Sequence, residues 1–257
     1  MNSLASSLFD VSAFDHLSRK DTWIHQRDPR AKLLVTFVYI LNIVSMTKYN
    51  WFGLIGFTFY PILVITAAQL PWKILFQKLI LVSPFALFIG ILNPWLERSV
   101  YATPGGIPIS FGFVSFVVIM LKFILTTLSA LILISTTPFY KVCIAMNRLK
   151  CPWIIVNQIQ LLFRYLQILL NEALTMSQAR DMRSFQGRGK DWRTTSKLLG
   201  ALFLRTIKRS ERIFSAMVSR GFTGHLPSLS YLRYNLADGV YIFSLCFAFL
   251  GLRLIYR

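Results

Sequence analysis

The sequence predicts an all-α integral membrane protein with about five transmembrane helices and additional amphipathic cytoplasmic helices. Of its 257 residues, 55% are hydrophobic and 15% aromatic, and the mean hydropathy is +0.55. That composition is too apolar for a soluble domain, whose charged residues must cover its surface. The apolar residues also occur in runs close to the roughly 20 residues that a helix needs to cross a bilayer. The formal charge of +18 lies mainly in the second half of the chain.

Four apolar runs in the first half predict transmembrane helices: 31–46, 51–70, 79–95 and 111–137. Pro61 and Pro84 fall inside two of them, which a helix bundle tolerates because neighbouring helices can satisfy the freed backbone groups. The stretch "LERSVYATPGGIPIS" between the third and fourth runs predicts a turn-forming loop. A fifth apolar run, 239–256, predicts a last crossing.

The basic residues place one region of the chain in the cytoplasm. Residues 138–235 contain 16 of the 28 lysines and arginines and four of the ten acidic residues, a net charge of +12. Cytoplasmic segments carry such an excess of cations, and four crossings from a cytoplasmic N-terminus return the chain to that side. The turn-forming loop should then face the opposite side. The sequence therefore predicts four segments. Residues 1–30 form a cytoplasmic N-terminal segment and residues 31–137 a four-helix transmembrane region. Residues 138–235 form the basic cytoplasmic region and residues 236–257 a C-terminal transmembrane helix.

Two long helices are predicted within the basic region. The first, 151–185, has Pro152 in its first turn and becomes polar in its second half, so we expect it to leave the bilayer. Whether its first half dips into the bilayer stays open, which leaves the number of spans between five and six. The second, 194–222, is amphipathic and should pack its apolar face on the membrane region or a partner. Its apolar-face residues are Leu198, Leu199, Leu202, Phe203, Thr206, Ile213 and Met217, and its basic face carries Arg205, Lys208, Arg209 and Arg212.

Each of these helices ends at an arginine followed by glycine. The stretch "FQGRGKD" contains Arg188 and the stretch "MVSRGFTG" contains Arg220. A cation near the negative end of a helix dipole, followed by a left-handed glycine, is a common helix terminus. Its repetition at two helix ends of one basic region favours a second role, contact with a partner. Gly221 is predicted to end the helix where Arg220 is exposed.

Three stretches together identify a family resemblance: "RSERIFSAMVSRGFTGHLP", "HQRDPRAKLL" and "TTPFYKVCIAMNRLKCPWIIVNQIQLLFRYLQILLNEA". With them the chain resembles, over nearly its whole length, the transmembrane T-component of energy-coupling-factor transporters, and within that family the cobalt/nickel type (CbiQ-like). The family carries two Ala-Arg-Gly motifs in cytoplasmic coupling helices. Here the first residue of each motif differs, since the chain has Gly187-Arg188-Gly189 and Ser219-Arg220-Gly221.

The resemblance implies a non-enzymatic subunit that joins two ABC-type ATPase subunits to a metal-binding, substrate-binding membrane subunit, with a small accessory membrane subunit as a further candidate partner. ATP and Mg²⁺ would be bound by the partners, and this chain would hold no catalytic, cofactor or metal site. The residues implied to contact the ATPases are Gly187, Arg188, Gly189, Ser219, Arg220 and Gly221. Those expected to pack the coupling helix are Leu198, Leu202, Phe203, Ile213 and Met217. The sequence itself contains no GxxxxGK[ST] phosphate loop.

Three other functions are considered. A T-component shared by several vitamin-binding subunits belongs to the same family and stays open, as does the choice between cobalt and nickel. A membrane enzyme acting on lipid or isoprenoid would need clustered polar or acidic residues in the spans, and the sequence has no such cluster. Nucleic-acid binding is not expected, because the cations of the basic region alternate with an apolar stripe that must stay covered.

Several isolated polar residues have simpler interpretations. His16, His25 and His225 lie far apart and are expected at the surface or an interface. Lys122, inside a predicted span without an acid, should find a partner on another helix or reach the membrane surface. Arg164 should anchor at the level of the lipid headgroups or pair with Glu172.

Overall fold

The computed structural model describes residues 17–18, 20, 22–46, 51–96, 100–102, 108–184, 191–224 and 235–255, and at 51–52, 93–96, 100–102 and 108–111 it describes the backbone alone. Its helices are α1 (Pro29–Val44), α2 (Trp51–Ala67), α3 (Trp72–Leu96), α4 (Phe111–Thr136), α5 (Phe139–Arg148), α6 (Trp153–Arg183), α7 (Trp192–Ser219) and α8 (Leu236–Ile255). The strands are β1 (Val100–Ala102) and β2 (Pro108–Ser110). The predicted all-α membrane protein is confirmed, with this small hairpin as its β-structure among the described residues.

The chain divides into two compact units. One, the bundle unit, lies within residues 15–142 and 232–257 and contains α1 to α4 and α8. The other, the α6–α7 unit, includes residues 143–231. Helix α5 begins in the first and ends in the second.

An aromatic cluster forms the centre of the bundle unit. Tyr39 of α1 lies 4.6 Å from Tyr60 and 5.2 Å from Phe249, measured between ring centroids. Its hydroxyl donates a hydrogen bond of 2.8 Å to the carbonyl oxygen of Phe57. Because a buried phenol must find an acceptor, this bond fixes α1 against α2 at one depth.

Helices α3 and α4 form an antiparallel pair joined by the β1–β2 hairpin. The sequence predicted a loop here, and the structure adds strand pairing with Tyr101 opposite Ile109. Gly90 lets the two helices approach closely, since a Cβ at that position would lie 2.8 Å from the Phe116 ring. The pair therefore has its register set both at the turn and within the helices.

Helices α1 and α8 run parallel and are joined at both ends. At their N-termini the backbone N–H of Asp28 donates to the carboxylate of Asp238 at 3.4 Å. At their C-termini the guanidinium of Arg253 donates to the Ser45 hydroxyl at 2.8 Å. The first turn of α1 also contacts the last residue of α4. The beginning of α1, the end of α4 and the beginning of α8 therefore share one side of the bundle.

Within the described part of the chain, four helices have the length and apolar composition to cross a membrane: 72–92, 112–136, 153–183 and 236–255. Helix α1 has the same length as its predicted span, 16 residues, but begins two residues earlier, and α2, with 17 residues, is shorter than its predicted span 51–70. Helix α3 begins seven residues before the predicted apolar run, because Lys73 and Lys78 can extend their amines away from the apolar surface. Its apolar side chains Leu81, Phe85 and Phe88 point outward, as lipid-facing residues do.

Candidate functional site

The C-terminus of α7 is a complete Schellman motif. The N–H of Phe222 donates to the carbonyl oxygen of Met217 at 3.0 Å, and the N–H of Gly221 donates to that of Val218 at 2.9 Å. Gly221 has φ of +80°, the left-handed conformation that the sequence predicted for it. The motif satisfies the last carbonyls of α7 and gives the residue at its end a defined backbone position.

Arg220 is the C-cap residue of this motif, with φ −93° and ψ 11°. Its side chain is exposed, and no hydrogen bond or ion pair engages the guanidinium within the described part of the chain. The preceding Ser219 is also exposed and turns its hydroxyl back to the carbonyl oxygen of Ser215 at 2.9 Å. With no partner among the described residues, this planar cation at a fixed helix end is suited to bidentate binding of a carboxylate.

The segment after Arg220 is held on the first turns of α6. The amide of Asn157 donates to the carbonyl oxygen of Gly224 at 2.8 Å. Gly224 has φ of +95°, and a Cβ there would lie 3.1 Å from the Trp153 ring. The sequence analysis did not predict this contact. The second glycine of "SRGFTG", Gly224, is the sequence feature that could have indicated this contact.

The predicted packing residues of α7 fall into two groups. Leu198, Leu202, Ile213 and Met217 are half-buried. Leu198 lines a groove of about 580 Å³ beside the second half of α6, and Ile213 and Met217 line one of about 510 Å³ beside its first half. Phe203 instead is 64% exposed. Leu199 and Val218 of the same helix are also exposed.

An ion-pair cluster crosses from α6 to α7. Glu172 accepts contacts from the guanidinium of Arg205 at 3.4 Å and from that of Arg209 at 3.3 Å. The alternative pairing of Glu172 with Arg164 is therefore wrong. Arg164 lies 6.0 Å from the centroid of the Tyr165 ring. Arg164 lies two turns from Glu172 on the same helix, but the neighbouring helix α7 places Arg205 and Arg209 nearer to the Glu172 carboxylate.

The other predicted motif lies outside the described residues. Gly187, Arg188 and Gly189 belong to the segment 185–190 between α6 and α7. Their sequence position puts them immediately before α7, whereas Ser219, Arg220 and Gly221 lie at its other end. With 28 residues, α7 is about 42 Å long.

One predicted surface histidine is buried. His25 has 7% of its surface exposed, and its Nδ1 lies 2.6 Å from the Thr22 hydroxyl oxygen. Burial, reinforced by the nearby charge of Lys32, lowers the pKa of its imidazole. The expected surface or interface position is therefore wrong for His25, because the turn before α1 folds inward. His16 and His225 lie outside the described residues. Among the described residues, no three His, Cys, Asp or Glu side chains come together as a metal site would require.

Lys122 has partners on another helix, one of the two outcomes expected for it. Its amine donates to the carbonyl oxygens of Val44 and Met46 at the C-terminal end of α1. A lysine inside an apolar helix thus satisfies the free carbonyls of a shorter neighbour.

Residues 20–231 match the family model CbiQ, described as cobalt transport protein. The chain belongs to the CbiQ family. It is a CbiQ-like T-component of the energy-coupling-factor type and a multi-pass membrane protein.

Relatives of this CbiQ-family protein carry matching names. The energy-coupling factor transporter transmembrane protein EcfT of Leuconostoc gelidum subsp. gasicomitatum is 28% identical, over 86% of this chain and 88% of its own length. The EcfT protein of Bacillus subtilis is 24% identical, over 78% of this chain and 81% of its own. The nickel permease LarQ of Lactiplantibacillus plantarum is 28% identical over 35% of this chain and 33% of its own. Such names fit a component of a multi-subunit transporter.

Proposed function

We propose that this CbiQ-family protein is the non-catalytic coupling subunit of an importer. It joins ATP hydrolysis by two cytoplasmic ABC-type ATPase subunits, which bind the ATP and Mg²⁺, to a substrate-binding membrane subunit, with a small accessory membrane subunit as a further partner. The observation that carries the proposal is Arg220, an exposed cation at a rigid helix end, unpaired among the described residues. A guanidinium so placed can form charge-assisted hydrogen bonds with acidic or carbonyl groups of an ATPase.

The length of α7 supports two separate contacts. Arg220 lies at its C-terminal end, and Arg188 precedes its N-terminal end by four residues. Because the helix is about 42 Å long, its two ends can reach two separate binding surfaces. In this proposal each arginine contacts a different ATPase of the pair, and movement of the two ATPases relative to each other acts on both ends of one helix.

The orientation follows from charge. The segments 1–30 and 138–235 lie in the cytoplasm, and the regions 31–137 and 236–257 lie in the membrane. Support comes from the net charge of +12 on residues 138–235 and from the bundle, where the beginning of α1, the end of α4 and the beginning of α8 share one side.

The proposed cargo is Co²⁺ or Ni²⁺, bound by the partner membrane subunit. The family description and the name of the nickel permease relative favour a metal. The second candidate is a T-component shared by several vitamin-binding subunits, and the names of the two EcfT relatives state no metal cargo. Affinity purification in mild detergent, followed by identification of the bound membrane subunits, separates them: one dedicated metal-binding subunit supports the first and several vitamin-binding subunits support the second.

The contact itself is tested by reversing the charge of Arg220. We expect Arg220→Glu to weaken co-purification with the ATPases by at least about tenfold, because a partner carboxylate would then face a second negative charge. ATPase activity and uptake should fall with it, and Arg188→Glu should act in the same direction.

Lys208→Glu is the matched control, since it makes the same charge change at an exposed position in the middle of α7. It should leave co-purification nearly unchanged. Unaltered complex formation, ATPase activity and uptake in Arg220→Glu would contradict the proposed contact.

A further inference from the structure

The stretch "HQRDPRAKLL" forms a buried polar cluster at one end of the bundle unit. Lys32, 4% exposed, donates through its amine to the carbonyl oxygen of Thr136 at 3.0 Å and to that of His25 at 3.2 Å. Asp28 caps the N-terminus of α1 by accepting the N–H of Arg30 at 2.8 Å. The cluster belongs to neither arginine motif, and the contact with ATPases does not use it.

Lys32 holds the point where the chain leaves the bundle. Thr136 is the last residue of α4, and residues 138–235 follow directly. The carbonyls at a helix C-terminus have no partner within the helix, and the helix dipole places negative charge there. A buried amine from α1 donates to one of these carbonyls and fixes the end of α4 to the first turn of α1.

Asp238 holds the point where the chain returns. It lies in the first turn of α8 and accepts the N–H of Asn235 at 3.2 Å, as the third helical residue of a capping box does. The same carboxylate accepts the N–H of Asp28 at 3.4 Å and a guanidinium N–H of Arg27 at 3.5 Å. Its side chain is 6% exposed. The start of α8 is therefore fixed to the same turn before α1.

Buried charges of this kind are poor evidence for stability. Removing charges from water costs several kcal/mol each, and well-packed apolar residues of similar volume often stabilise a protein equally well. This cluster places Lys32 at one chain connection and Asp238 with Arg27 at the other. That placement suggests that the cluster fixes the positions of the two connections. Those connections, at 136–138 and 235–236, are also the covalent routes by which a displacement of residues 138–235 reaches the membrane helices.

We propose that Lys32 and Asp238 are positioning residues that make both ends of the segment 138–235 move as one body with α1. The inference rests on the proposed function. With the cluster intact, a displacement of α7 pulls α1, α4 and α8 together. Without it, the end of α4 and the beginning of α8 yield separately, and ATP hydrolysis no longer produces a concerted movement of the bundle.

The test compares Lys32→Met and Asp238→Asn in the purified complex with its ATPases, reconstituted in liposomes. Three quantities are measured: co-purification with the ATPases, ATP hydrolysis, and uptake of labelled Co²⁺ or Ni²⁺. We expect complex formation and hydrolysis to persist while uptake per ATP hydrolysed falls about tenfold. The more conservative Asp238→Glu should restore part of the ratio.

Lys122→Met is the matched control. Lys122 also donates to carbonyls of α1, but at the opposite end of that helix and away from the two connections. It should lower thermal stability without changing uptake per ATP. If Lys32→Met does not fold, Asp238→Asn alone decides. An unchanged ratio in a folded Asp238→Asn complex, or an equal loss in Lys122→Met, overturns the inference.

The two proposals fail differently. If the wild-type complex accumulates the ion and only the Lys32 and Asp238 variants lose uptake per ATP hydrolysed, the positioning role of the cluster is supported. A wild-type chain that does not bind ATPases contradicts the proposed function, and a wild-type complex that hydrolyses ATP without accumulating either ion contradicts the metal cargo. In both cases the inference falls with the proposal on which it rests.

Discussion

At the scale of single residues, replacement by alanine is expected to have opposite effects at two glycines of the α7 region. Gly221 has a left-handed backbone, whereas Gly200 lies inside the helix, and no described residue beyond the chain neighbours and the helix's own backbone lies within 4 Å of the position that a Cβ would take at either one. Contacts with the described residues therefore do not oppose either substitution. The backbone alone decides the sign of the effect.

We expect Gly221→Ala to lower the free energy of unfolding by about 1 kcal/mol, because a Cβ disfavours the left-handed conformation. Gly200→Ala should raise it by about the same amount, since alanine is the better residue in a helix interior. Thermal unfolding in detergent measures both. A loss of ATPase binding in Gly221→Ala but not in Gly200→Ala would show that Arg220 depends on the helix end. Equal effects of the same sign would contradict the role assigned to the Schellman motif.

At the scale of elements, α6 and α7 are held together at a few points along their length. The ion pairs of Glu172 lie near the middle, and the Asn157 bond to Gly224 lies at one end. Large apolar side chains elsewhere on α7 point outward. The relative position of the two helices therefore depends more on these polar contacts than on a packed apolar core.

Glu172→Gln should lower the free energy of unfolding by about 1 kcal/mol, because it leaves Arg205 and Arg209 facing each other without an acid. The loss should shrink at high ionic strength, which screens exposed charges. Thermal unfolding at low and high salt measures it. Glu211→Gln, at an exposed position of α7, is the control and should be nearly neutral. Equal losses in the two variants would contradict the cross-helix role of Glu172.

At the scale of the whole molecule, the sequence predicted the positions of the membrane helices better than it predicted the contacts between side chains. Apolar runs located α1 to α4 and α8 because lipid selects composition directly, and glycine chemistry located the end of α7. The contacts of Asp238 and Glu172 could not be predicted. Each pairs with residues distant along the chain, and a carboxylate in isolation does not specify its partner. Phe203 is exposed on α7, and its packing on the membrane region or a partner stays a prediction.

The proposed orientation makes a prediction about accessibility. In a chain with Cys143, Cys151 and Cys246 replaced by alanine, a single cysteine at Gln26 or Ser196 should react with a membrane-impermeant maleimide only in inverted vesicles. A cysteine at Gly105, between β1 and β2, should react only from the outside of intact cells. The reason is that four proposed crossings separate the beginning of α1 from the end of α4, which puts both on the same side of the membrane. Three crossings separate the beginning of α1 from the connection between β1 and β2, which puts Gly105 on the other side. Labelling of Gln26 from the outside would contradict the orientation.

The contact between Lys122 and the end of α1 has a consequence for the surrounding lipid. Residues 111–121 of α4 continue roughly 16 Å beyond the level at which α1 ends, since each helical residue rises about 1.5 Å. The hydrocarbon beside α1 is therefore shorter than the hydrocarbon beside α4. Acyl chains next to α1 must tilt or compress to match it, so the protein should favour thin bilayers along that edge and deform thicker ones.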